Sequence, residues 1–182
     1  SIEKLKTYPS GIDFGPLEPS CPERLQTNDK RIPLAIPEVL ADIDRLYYDM
    51  NQDVAGYRLI GRRNVRDNNS WMHNHRRLVK GKDRCQLLMH PDDVAKEGWN
   101  EGMQVTITSR VGSISAELMP SIEVMPGVIS LPHGYGHGLD GTRSKVANSH
   151  AGVSCNDVTD EQFLDQLSGN AAVNGVPVQL TA

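Results

Sequence analysis

Three polar, glycine-containing loops hold the residue types that could grip an anionic heterocycle. The first covers residues 61–74 and contains Gly61, Arg62, Arg63, Asn64, Asn68, Asn69, Ser70, Trp71 and Asn74. Arginine forks and exposed backbone amides suit phosphate groups. Asparagine amides can meet the donor and acceptor edges of a purine or pterin ring. Trp71 offers an apolar plane beside them. The same residue types also make an ordinary solvated surface loop.

The second loop covers residues 133–138, with His133, Gly134, Gly136, His137 and Gly138. Two histidines four apart invite a metal reading, but that reading needs a helix to place both on one face. Glycines at 134, 136 and 138 oppose a helix and favour close backbone approach to a ligand, so no metal site is expected. The third runs through Ser154, Cys155, Asn156, Asp157, Val158, Thr159 and Asp160, followed by Leu167, Ser168, Gly169 and Asn170. Its acids could accept from the amino and imino groups of a guanine, or they could cap a helix.

No nucleophile stands with a base and an orienting acid at a recognisable spacing. There is no Gly-x-Ser-x-Gly, no phosphate-binding Walker loop and no dinucleotide-fold fingerprint. The expectation is a chain that holds a ligand and contributes no catalytic residue of its own.

Charge agrees with a local anionic partner. The 182 residues carry a net charge of -4. Between residues 58 and 84 lie Arg58, Arg62, Arg63, Arg66, Arg76, Arg77, Lys80, Lys82 and Arg84, opposed only by Asp67 and Asp83. One basic stretch in an acidic chain points to one anionic ligand rather than a generally adhesive surface. With few aromatics to stack bases, nucleic acid is not an expected partner. No apolar run approaches the roughly 18 residues of a membrane span. Cys21, Cys85 and Cys155 are far apart, which suits neither a disulfide framework nor a metal knuckle. They fit a reducing compartment. No charged-then-apolar leader opens the chain, so a cytoplasmic location is expected. A mature exported protein would look the same, and the periplasm stays open.

The elements that must position these loops are short. Residues 1–30 are rich in proline and turn formers and should run irregularly over a surface. Val39, Leu40, Ile43, Leu46, Tyr47 and Met50 fall at helical spacing, with Pro37 suited to the first turn. That apolar face must pack on something. Strands are expected at 57–60, 86–90, 128–131 and 176–180. Pro91, Asp92 and Asp93 should open a short helix that Gly98 stops. Met103, Val105 and Ile107 alternate with polar residues, as do Ile114, Ala116 and Leu118 beyond a turn, which predicts a hairpin with one buried face. Residues 160–167 could add a helical turn or two. Short strands with turn signals at close intervals imply a small β-barrel with inserted helices.

Taken in order, these segments resemble the molybdopterin dinucleotide-binding domain that closes proteins of the dimethyl sulfoxide reductase family. The resemblance runs from Tyr57 to the end, about two thirds of the chain. It comprises Leu59-Ile60-Gly61-Arg62-Arg63, then Ser70-Trp71-Met72-His73-Asn74, then Leu87-Leu88-Met89-His90-Pro91-Asp92-Asp93-Val94-Ala95. Glu101-Gly102-Met103-Gln104-Val105 and Ser109-Arg110-Val111-Gly112-Ser113 follow, then Met125-Pro126-Gly127-Val128 and Leu131-Pro132-His133-Gly134. Cys155-Asn156-Asp157-Val158-Thr159, Leu167-Ser168-Gly169-Asn170 and Gly175-Val176-Pro177-Val178 close the set.

The resemblance implies a fold that is mainly β with short helices, a double-psi β-barrel of the aspartate-decarboxylase-like kind. It implies a C-terminal domain, residues 56–182, that holds molybdopterin guanine dinucleotide carrying molybdenum or tungsten in the full-length enzyme. Gly61, Arg62, Arg63, Asn64, Asn68, Asn69, Ser70, Trp71 and Asn74 would meet pterin and phosphate. Asn156 and Asp157 would lie in a later cofactor-contacting loop, and His133 and Gly134 between them. Residues 1–55 would be an irregular connector plus helix from a preceding domain. The partners would be the remaining domains of the parent oxidoreductase. The isolated chain would lack cofactor and be inactive. The alternative is a freestanding double-psi barrel that serves protein interaction.

Overall fold

The architecture is known from a computed structural model that describes residues 1–52 and 55–182. The expected connector, residues 1–55, therefore includes two positions, 53 and 54, outside the described residues.

Alternation of apolar and polar residues builds the barrel. Its strands are β1 (Tyr57–Arg62), β2 (Gln86–Met89), β3 (Gln104–Thr108), β4 (Ser113–Pro120), β5 (Val128–Pro132) and β6 (Val176–Thr181). They close in the order β1-β5-β2-β4-β3-β6. The hairpin of β3 and β4 pairs Val105 with Ala116 and Ile107 with Ile114. All four side chains are buried, as a period of two requires when one face is the core. Leu87, Met89, Leu118, Ile129 and Leu131 complete a core with almost no solvent contact.

Two pairings are parallel, β1 with β5 and β2 with β4, and the antiparallel contact of β2 with β5 lies between them. This interlocking of two parallel pairs is the double-psi barrel. It brings the C-terminal ends of β1 and β5 side by side, with Gly61 opposite Leu131 and Arg62 opposite Pro132. The first two polar loops leave the barrel from those adjacent ends.

Helix α4 (Pro91–Glu97) has the expected limits. Proline occupies its first turn, where no N–H is needed. The His90 ring accepts from the Asp92 N–H at its start, and left-handed Gly98, φ 74°, ends it. Buried Asp93 accepts the Gly127 N–H at 2.7 Å, which fixes the turn leading into β5.

Three local expectations need correction. The apolar run at 39–50 makes two helices, α2 (Pro37–Ala41) and α3 (Ile43–Met50), with a break at Asp42. There the backbone forms a tighter i→i−3 bond to Val39, and the Asp42 carboxylate holds Arg45 at 2.6 Å. Residues 160–167 form turns closed by a bridge between Leu164 and Ala171. The Asp160 and Asp165 side chains bond nearby N–H groups, of Gln162 and Ser168, in competition with a helix. A short helix that periodicity did not indicate, α5 (Lys145–Asn148), precedes the third loop. Helix α1 (Ile2–Lys6) begins the chain, capped by Ser1.

By contacts the chain divides into two units, Ser1–Arg45 and Leu46–Ala182. In α2 and α3 no side chain is buried, and Val39, Leu40, Leu46 and Tyr47 are each at least half exposed.

On the barrel unit, Arg110 grips Asp160 through two bonds of 2.6 and 2.7 Å and reaches Glu161 at 2.9 Å. The guanidinium lowers the Asp160 carboxyl to about 2. A carboxyl depressed on folding contributes stability above its unfolded value of about 3.9, and loses it as pH falls toward the folded value. Thermal unfolding followed from about pH 5 to about pH 2 should therefore show a steeper loss in the native protein than in Arg110→Ala. Parallel curves would rule out this contribution.

Candidate functional site

The three loops meet at one rim of the barrel. Gly61, Arg63, His133 and Asn156 line a single cleft of about 130 Å³, with Leu59 and Val173 as its apolar wall and Asn174 and Cys155 beside them. Gly61 donates its N–H to the Asn174 side chain at 2.8 Å. His133 donates its N–H to the Arg62 carbonyl at 2.9 Å, which continues the β1–β5 ladder past the strand ends. Asn156 sits on a 3-10 turn, Cys155–Val158, anchored by fully buried Val158.

The first two loops cross in contact. Gly134 has φ 94°, and a Cβ there would overlap the Asn69 carbonyl oxygen. Asn69 itself has φ 63°, a left-handed turn that asparagine tolerates. Its side chain accepts from Arg63, so the arginine in the cleft is held by the loop it belongs to.

The other sequence-nominated residues do not line this cleft. Arg62 turns inward. Its guanidinium donates to the carbonyls of Ser130 and Gln86 at 2.6 Å each and of Arg84 at 3.2 Å. Burial pulls its pKa below the usual arginine value, yet an arginine stays charged there. Asn74 accepts the N–H groups of Val146 and Ala147 at 3.0 and 3.2 Å and so caps α5. Asn64 accepts from the Arg66 N–H and shapes the loop. Asn68, Ser70, Trp71 and Asp157 are exposed, and 81% of Trp71 meets solvent. The cleft thus gathers Gly61, Arg63, His133 and Asn156, with Asn69 and Gly134 as its frame.

Beneath the first loop lies a polar cluster that the sequence did not reveal. Asp67 is 1% exposed and receives Arg84 at 2.7 Å and the Tyr135 hydroxyl at 3.2 Å. Burial, then the carboxylate, pushes the Tyr135 phenol up to about 12. The His73 ring is also buried, and its Nδ1 lies 2.8 Å from His137 Nε2. Burial lowers the His73 pKa, favouring the neutral ring. His73 Nε2 faces Asp67 at 3.6 Å, so it carries the proton and Nδ1 accepts from His137. His137 therefore pairs with His73 rather than with His133. One signal was present in the sequence: Asp67 is one of only two acids in the basic stretch, and an acid there suits pairing.

The chemistry of the cleft suits one portion of a pterin dinucleotide. A guanidinium answers phosphate, two asparagine amides answer the edge of a fused heterocycle, and glycine lets the backbone approach. Its volume is below the roughly 300 Å³ at which whole-ligand pockets begin, so the remainder of such a molecule would extend over the exposed loop.

Comparison with known proteins identifies the family of the chain. The family model described as the molydopterin dinucleotide binding domain matches residues 57–177. A tetrathionate reductase subunit of Salmonella typhimurium is 30% identical over 121 residues, covering 57% of this chain and 12% of its own. The molybdopterin-containing subunit of the arsenate respiratory reductase of Chrysiogenes arsenatis is 30% identical over 113 residues, covering 59% and 13% respectively. Among solved structures, acetylene hydratase from Pelobacter acetylenicus superposes with a TM-score of 0.58 at 17% identity, covering 78% of this chain and 19% of that one. The chain spans about one eighth of the length of these curated relatives.

Proposed function

Because this chain belongs to the molybdopterin dinucleotide-binding domain family, we propose that it serves as the C-terminal domain of a larger oxidoreductase and encloses one side of that enzyme's cofactor. The observation that carries this reading is the convergence of Gly61, Arg63, His133 and Asn156, from three separate loops, on one cleft. Arg63 would meet phosphate. Asn156 and Asn174 would meet a ring edge, with the exposed residues of the first loop covering the rest. The cofactor supplies redox chemistry at its metal, and the residues here bind and orient it.

Residues 1–55 are assigned to a connector from a preceding domain. The apolar faces of α2 and α3, open to solvent, suit such packing. The matched relatives are reductase subunits, one of them molybdopterin-containing, of which this chain covers only 12% and 13%, which supports other domains as the partners. The freestanding interaction module is not favoured by these matches. Free thiols at Cys21, Cys85 and Cys155 support a cytoplasmic location, which cell fractionation would check.

Intact mass of the native protein, with its molybdenum content and the fluorescence of its oxidised pterin, tests the assignment. The expected result is a polypeptide several times longer than this chain that carries both metal and pterin. A native chain of this length with neither would sink it.

A further inference from the structure

The turn between β3 and β4, residues 109–112, meets the third loop at two points. The first is backbone on backbone. A Cβ at Gly112 would overlap the Asp157 carbonyl oxygen. The φ of Gly112 lies outside the left-handed region, so close approach is what calls for glycine here. The second is ionic. Arg110 holds Asp160 through two nitrogens at 2.6 and 2.7 Å, and one of them also reaches Glu161 at 2.9 Å. The turn that offers Arg110 is shaped by its own bonds. Ser109 donates its N–H to the Gly112 carbonyl at 2.9 Å, and its hydroxyl oxygen accepts the Val111 N–H at 3.2 Å.

Asp160 stands between the two stretches that wall the Gly61–Arg63 cleft. Cys155, Asn156 and Thr159 come before it, and Val173 and Asn174 come after it. The residues between fold back on themselves. Phe163 donates its N–H to the Asp160 carbonyl at 3.1 Å, Ala172 donates to the Phe163 carbonyl at 2.8 Å, and Leu164 bridges to Ala171. Burial does little to seat this fold-back, since Phe163, Leu164 and Leu167 are each more than one third exposed. Val158 is the buried anchor before it. The grip of Arg110 falls at its base, where one clasp acts on both cleft walls.

We propose that the β3–β4 turn is the seat of the third loop, and that Arg110 is a positioning residue for the cleft, holding through Asp160 and Glu161 the segment that carries Asn156 and Asn174. Arg110 does not line the cleft itself. For a bound ligand this role rests on the cofactor reading above; for the order of the cleft wall it does not. An exposed ion pair adds little to global stability. A loop opens locally at far lower free energy than the whole domain unfolds, so a weak clasp can still set how often it opens. Arg110 thus controls the opening of one wall of the cleft while the barrel stays folded.

The test is amide hydrogen exchange on the full-length native protein, read peptide by peptide, together with the rate of pterin loss on dilution. Arg110→Ala should speed exchange across residues 154–174 about fivefold, the upper end for an exposed ion pair, and leave β2 and β5 unchanged. Pterin loss should quicken by a similar factor. Arg110→Lys keeps the charge without the fork and should recover part of the protection. Salt near 1 M should bring the native protein close to the rate of Arg110→Ala, because it screens the pair. Gly112→Ala presses a methyl on the Asp157 carbonyl and should open the same peptides with Arg110 in place, which tests the seat without touching charge. Unchanged exchange at 154–174 in Arg110→Ala, or exchange that rises equally in β2 and β5, overturns the proposal. Faster local exchange with native pterin retention overturns the role toward a ligand. A native protein without pterin would sink the cofactor reading alone, since exchange still decides whether Arg110 holds the wall.

Discussion

Gly134→Ala is expected to unfold the loop crossing and to cost the barrel about 3 kcal/mol or more. Two independent effects add at this position. Its backbone sits at φ 94°, where an L side chain is strained. The new methyl would also overlap the Asn69 carbonyl oxygen and crowd its carbon. Both atoms are backbone, so no rotamer change relieves the contact. The first loop would have to move away from β5, taking Arg63 with it through its bond to Asn69. Chemical denaturation should show a large drop in midpoint, and pterin content of the native enzyme should fall in parallel. Gly127→Ala provides the contrast. Its φ of 78° carries the same kind of strain, but nothing lies within 4 Å of the added methyl. Equal losses in the two variants would show that the crossing itself contributes little.

The second large effect separates two adjacent arginines. Arg62→Ala removes donors from the carbonyls of Ser130, Gln86 and Arg84 inside the barrel wall. A charged donor contributes about 1.5–3 kcal/mol per hydrogen bond, and stranded carbonyls add their own cost. The loss should be about 3–5 kcal/mol, as expected for two or three such bonds lost together. Arg63→Ala should leave stability within about 0.5 kcal/mol, as for an exposed side chain, and should instead lower molybdenum and pterin retention. Denaturation midpoints and cofactor content, measured on both variants, check this. A stable Arg62→Ala protein, or full cofactor in Arg63→Ala, contradicts the respective role. Two neighbours with the same side chain thus divide between holding the barrel and lining the cleft, because successive residues along an extended chain point to opposite faces.

Much of this molecule was legible in its sequence. The period-two patterns of Val105, Ile107, Ile114 and Leu118 specified buried strand faces directly, because a strand has only two sides. Pro91 and Gly98 marked the limits of α4 through backbone constraints that hold anywhere. The glycines of residues 133–138 announced close approach, although not to which atoms. Local signals failed where tertiary or side-chain bonds compete with propensity. Asp42 splits the expected helix, and Asp160 is taken by Arg110, fifty positions earlier.

The sequence by itself determined the strands, the order of the loops and the concentration of positive charge between residues 58 and 84. Those follow from alternation, turn chemistry and composition, which are properties of neighbouring residues. Only the tertiary structure decided how the charge is used. Barrel closure sets β1 beside β5 and so brings His133 to Gly61 and Arg63, while Asn156 arrives on its 3-10 turn from a distant segment. It also buries Asp67, His73 and Tyr135 together and turns His137 to His73 instead of His133. Such pairings depend on distances between residues about seventy positions apart, and a hydrogen bond forms only within about 3.5 Å, a condition that no local pattern encodes.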